Sequence, residues 1–147
     1  MSGHHRDTGA VPDPNRRLVT LTWETGERFR GGRPGGPEVV VDGDGLAGAS
    51  PMESLLLAAA GCTGADVVTI LTKMRVEVTT CRITITGLRR TEPPRRYLSL
   101  HFAYAIGGER LDEIKARRAI DLSMGKYCSV LHSLAADIAT DYSLALL

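Results

Sequence analysis

The sequence predicts an α+β fold with the element order β-β-β-α-β-β-α-α-β, and three observations support it. Short alternating segments fall into two groups, one near the N-terminus and one in the middle of the chain. A long apolar helix separates the groups. An amphipathic helical stretch then precedes one last alternating segment, so strands and helices are segregated rather than regularly interleaved.

The elements are justified in order. "RLVTLTW" alternates Val19, Leu21 and Trp23 with Leu18, Thr20 and Thr22, which is the period of a strand. "ETGE" reads as a turn, "RFRGG" as a short return strand and "RPGGP" as a second turn. "EVVVD" completes an antiparallel meander and leads into the glycine-rich loop "GDGLAGA". In "SPMESLLLAAAGCTGADVVTILTKMR", Ser50 is a good N-cap and Pro51 suits the first helical position. Glu53 stands three residues after the cap, where a capping box places its acid. From Leu55 to Met74 this helix is apolar nearly all round, which predicts burial on every side. "VEVTTCRITITGLRR" and "RRYLSLHFAYAIGG" alternate on either side of "TEPP" and read as a long hairpin. "ERLDEIKARRAIDLSM" is amphipathic, with Leu111, Ile114, Ala119, Ile120 and Leu122 on its apolar side. Gly125 is read as its break. A short helix from Cys128 to about Ala136 and a closing strand "IATDYSLALL" follow.

The 147 residues fit one domain with a real hydrophobic core, residues 17–147, behind a flexible arm, residues 1–16. His4 and His5 are read as tail residues of that arm. Net charge is +1, from 18 basic and 17 acidic residues mixed along the chain. That balance offers no electrostatic reason for nucleic acid or an anionic membrane as partner. No uninterrupted apolar run reaches the roughly 18 residues of a membrane span, since Gly61, Thr63 and Asp66 interrupt the longest. The N-terminus lacks an apolar signal core, which predicts a cytoplasmic protein. In a reducing compartment its three cysteines are free thiols, redox groups or metal ligands rather than a disulfide framework.

Each cysteine has a bland and a chemical reading. Cys81 shares a strand face with Ile83 and Ile85 and is read as a core residue. Cys62 lies mid-helix between Gly61 and Gly64. Each glycine there costs about 1 kcal/mol relative to alanine, so something must approach the helix closely. Cys128 opens a helix behind Lys126 and Tyr127, where free amides and the dipole favour a thiolate. If Cys62 and Cys128 meet, one can attack a peroxide and the other resolve the sulfenic acid as a disulfide. Alternatively Cys62, Cys128 and His132 bind zinc, with Cys128 and His132 on one helical face.

"SPMESLLLAAAGCTGADVVTIL" followed by "RAIDLSMGKYCSVLHSL" resembles the OsmC/Ohr family of osmotically inducible and organic-hydroperoxide-resistance proteins, in an OsmC-like branch. The resemblance runs from about Val19 to the C-terminus. It implies an intertwined homodimer whose two central helices are wrapped by sheet from both chains. It also implies a cysteine-based hydroperoxide reductase without cofactor or metal, recycled by a dithiol or a lipoylated protein. Carried over residue by residue, Cys62 resembles the peroxidatic cysteine and Cys128 the resolving one. In the family a glutamate directly after the proline pairs with an arginine that activates the nucleophile. Here Met52 holds that position and Glu53 comes one later, roughly opposite Cys62 at about 100° per residue. Glu53 is the acid candidate that the resemblance leaves, but its place opposite Cys62 argues against direct service to the thiolate, and capping is its structural explanation. The arginine is sought near the first hairpin turn, where Arg28 is preferred and Arg30 is the alternative. The rival from another class is a binding protein that keeps the same pocket for an electrophilic or acyl ligand, and Met52 is its best support.

Overall fold

A computed structural model describes residues 13–147, so the readings of His4 and His5 and most of the arm lie outside the described residues. The chain divides into two compact units, one up to Pro51 and one from Met52 onward.

In the first unit, strands β1 (Thr20–Thr25), β2 (Arg28–Gly32) and β3 (Val39–Asp42) form an antiparallel sheet in that order, as the alternation predicted. The β1–β2 turn places Gly26 at φ 53°, a left-handed conformation that glycine adopts without steric cost. Beyond β3 the loop folds back on the buried carboxylate of Asp42, which accepts amide hydrogens from Asp44 and Ala47. These bonds hold the Asp42 pKa below the usual carboxylate range.

The second unit sets helix α1 (Pro51–Lys73) beside a second sheet of β4 (Glu77–Arg89), β5 (Tyr97–Glu109) and β6 (Ala139–Leu146). β4 and β5 are the predicted hairpin, with Cys81 opposite Ile106 and Ile83 opposite Tyr104. The central strand β5 buries Leu100, Phe102, Tyr104 and Ile106, and Cys81, Ile83 and Ile85 of β4 pack on the same core. β6 runs parallel to β5, which requires a crossover. Helix α2 (Glu113–Leu122), a five-residue π-helical turn (Ser123–Tyr127) and helix α3 (Ser129–Ser133) supply it.

Four expectations need correction. α1 buries only the stripe Ala59, Thr63, Val67 and Leu71, while Leu57 is 64% exposed, so within one chain the helix is not covered all round. The same helix does meet the length and composition of a membrane span, because its many apolar residues outweigh the few charged ones. Its stripe Ala59, Val67 and Leu71 packs into the core of the second unit. In α2 the buried side is Ala116, Ala119 and Ile120, whereas Ile114 in the first turn is 81% exposed. Finally, Gly125 does not break the helix. The backbone widens into the π turn instead, and the Cys128 N–H donates to the Ser123 carbonyl at 2.8 Å.

Candidate thiol site

Cys62 stands in the middle of α1 and is half-buried, and Asp66 follows one turn later on the same face. Cys128 arrives from the other side, as the extended residue (φ −69°, ψ 101°) between the π turn and α3. The two sulfurs and one Asp66 carboxylate oxygen all lie within 4.8 Å of one another. The three cysteines are free thiols, and Cys128 is fully buried.

Two opposing effects act on Cys128. Amides of Leu131 and Val130 reach its sulfur and favour the thiolate, as its place before a helix predicted. Loss of solvent is larger and disfavours charge, and hydrogen bonding to Cys62 adds to it. Burial wins, and the Cys128 pKa is pushed up to about 11. Cys128 is thus a thiol that can donate its proton toward the Cys62 sulfur.

Asp66 is not turned away from the sulfurs. Its Oδ2 accepts a hydrogen bond from Ser123 Oγ at 2.9 Å. Ser123 Oγ is also 2.9 Å from Thr63 Oγ1, which is 2.7 Å from the Tyr104 hydroxyl. Each hydroxyl has one proton to donate. With Ser123 donating to the carboxylate, Thr63 must donate to Ser123 and Tyr104 to Thr63. Three buried hydroxyls therefore form a directed chain that ends on the carboxylate beside the thiols. Sequence reading missed Ser123, Thr63 and Tyr104. A polar residue in the buried stripe of α1, one position after the cysteine, was the available signal.

The other candidates fall elsewhere. Glu53 lies exposed in the first turn of α1, and Met52 packs on the core while its carbonyl accepts from Tyr97 Oη at 2.7 Å. Arg28 and Arg30 belong to the first unit, where both face Glu24, with Nε–Oε distances of 3.4 and 3.2 Å. Arg28 also acts on Asp42, so its charge is matched within that unit. His132 does not join the thiols. Its Nδ1 lies 2.9 Å from the Cys128 carbonyl oxygen and its Nε2 3.3 Å from that of Gly125, which uses the ring to brace the turn. Cys81 is half-buried on β4 beside Gly61 and Gly64, and desolvation raises its pKa.

A second constellation has the bond order of a hydrolytic triad. His101 Nδ1 is 2.8 Å from Asp141 Oδ1 and its Nε2 is 3.1 Å from Ser143 Oγ. It lies on the outer face of β5 and β6 with the Asp141 side chain 77% exposed, where water screens the pair, and it reads as a surface cross-strand contact.

The fold and the paired thiols define a class: an α+β protein with one cysteine on its central helix and a second brought against it by a crossover. The OsmC-like protein family model matches residues 42–143, and the chain belongs to that family. Protein YhfA of Escherichia coli (strain K12) is 40% identical over 111 residues, spanning 75% of this chain and 83% of that protein. A hypothetical protein from Aquifex aeolicus VF5 has a TM-score of 0.77 at 29% identity, over 90% of this chain and 98% of that one. The same fold appears in the organic hydroperoxide resistance protein OhrB of Bacillus subtilis, with a TM-score of 0.59 at 12% identity, covering 88% and 98%.

Proposed function

We propose that this chain is a cytoplasmic thiol peroxidase that reduces organic hydroperoxides through Cys62 and Cys128. The Cys62 thiolate attacks the terminal peroxide oxygen, the O–O bond breaks, and the alcohol leaves after taking up a proton. Cys62 becomes a sulfenic acid. Cys128 then attacks the Cys62 sulfur, water leaves, and a disulfide forms, which a small dithiol or a lipoylated protein reduces to two thiols.

The observation that carries this reading is the pairing of a half-exposed sulfur with a buried one, within 4.8 Å. The buried thiol holds its proton until the first sulfur is oxidised, which suits the resolving role. Membership of a family whose fold is shared by hydroperoxide resistance proteins supports the substrate class.

The working form is proposed to be a homodimer. α1 leaves Leu57, Ala60, Gly61, Ala65 and Val68 along an open groove of about 670 Å³, and a Cβ at Gly61 would meet nothing within 4 Å. A helix glycine that none of the described residues of its own chain approaches is explained by a second copy packing there.

Thiol titration before and after one equivalent of cumene hydroperoxide tests the reading. Loss of two thiols per chain, with a Cys62–Cys128 disulfide in the peptide map, is expected. Unchanged thiols would favour the ligand-binding alternative that Met52 supports.

A further inference from the structure

We propose that Cys62, Cys128 and Asp66 form a three-ligand site for a thiophilic divalent cation, with zinc as the probe. The ion would use the sulfurs assigned above to peroxide chemistry, but the site stands on geometry independent of that assignment.

The donors come from three places on two elements. Cys62 and Asp66 are one turn apart on α1, and Cys128 closes from the π turn. Their donor atoms are within 4.8 Å of one another, while a tetrahedral zinc site with bonds of about 2.0–2.3 Å sets its ligands roughly 3.5–3.8 Å apart. Small side-chain rotations close that difference. The donor set is also chemically apt: two sulfurs select a soft or borderline cation, and a carboxylate completes the face.

The chain of hydroxyls is the independent observation. A carboxylate that serves as a metal ligand needs an outer partner to fix its orientation. Ser123 supplies that bond to Oδ2 at 2.9 Å, and Thr63 and Tyr104, both buried, hold Ser123 in turn. This leaves the remaining lone pairs of Asp66 to face the sulfurs. His132 is excluded as a ligand because both ring nitrogens face backbone carbonyls. Cys62 and Asp66 are only half-buried, so water can reach the fourth position. An ion held there occupies the lone pair with which Cys62 would attack, so metal-bound protein is protected from oxidation.

The test uses the reduced, metal-free full chain with no peroxide present, so that its failure is separate from any failure of the peroxidase reading. Zinc is titrated against a competing fluorescent chelator, and cobalt(II) is added separately to read sulfur-to-metal charge transfer in the near ultraviolet. One ion per chain with a two-thiolate cobalt spectrum is expected. Asp66→Asn should weaken zinc binding at least tenfold, and Ser123→Ala by a smaller factor, as outer-sphere partners do. Cys81→Ala should bind as the native chain does. Circular dichroism checks that each variant is folded. No retained zinc, or affinity unchanged by Asp66→Asn in a folded protein, overturns the proposal. So does binding that is lost with Cys81→Ala in a folded protein.

Discussion

Cys62 and Cys128 differ in burial, and their variants should differ accordingly. Cys62→Ser should abolish hydroperoxide reduction. Cys128→Ser should still form a sulfenic acid at Cys62, trappable with dimedone, and then over-oxidise under excess peroxide. Mass spectrometry of both variants after one peroxide addition decides the roles, and a dimedone adduct on Cys128 instead would reverse them. The buried hydroxyls give a second contrast. Thr63→Val removes the middle of the chain and leaves the buried Tyr104 hydroxyl without its acceptor, while Ser123 keeps its bond to Asp66, at a cost of about 1–3 kcal/mol. Tyr104→Phe removes only the end, leaves Thr63 donating to Ser123, and should cost about 1 kcal/mol. Urea denaturation of the two variants checks the order. Tyr104 also gives the sign of an alkaline effect. Burial raises its pKa from 10.0 to about 12, so an unfolded tyrosine releases its proton first. The stabilisation is intact below pH 10 and is lost as pH rises from 10 toward 12. Tyr104→Phe should reduce the slope of the stability profile in that window, the remainder coming from Tyr97, Tyr142 and Cys128, whose pKa values are also raised.

At the scale of elements, α1 ends without a glycine. Arg75 takes φ 62°, and Val76 N–H donates to Leu71 O while Arg75 N–H donates to Thr72 O, the bond pattern of a Schellman cap. Arg110 Nε donates to the Arg75 carbonyl at 2.9 Å and does not depend on the Arg75 side chain. Arg75→Gly should therefore raise stability by roughly 0.5–1 kcal/mol, read as a shift in thermal midpoint. The hairpin strands β4 and β5 were legible because their alternation follows burial, as Leu100, Phe102, Tyr104 and Ile106 show on β5. The π turn was not. A glycine after an amphipathic run is ordinarily a helix end, and only the packing of Ser123 and Cys128 against α1 stabilises one wider turn in its place.

For the whole molecule, the open face of α1 is the feature most in need of a partner. The chain should sediment as a dimer at micromolar concentration. Gly61→Trp should shift it toward monomer or aggregate, because the indole would fill the groove where none of the described residues of its own chain comes within 4 Å of a Cβ. A folded native monomer would refute the dimer. The sequence by itself determined the order of elements, the core face of the hairpin, the long apolar helix and the family. These rest on local periodicity and on contiguous motifs, which need no knowledge of distant neighbours. Only the tertiary structure decided that Cys62 meets Cys128, that Asp66 shares their site, and that His132 turns away to its own backbone. It also decided that burial outweighs the helix start at Cys128. The physical reason is common to all four. Distance, desolvation and the direction of a hydrogen bond belong to groups that α1 and the crossover bring together in space, and no spacing along the chain encodes them.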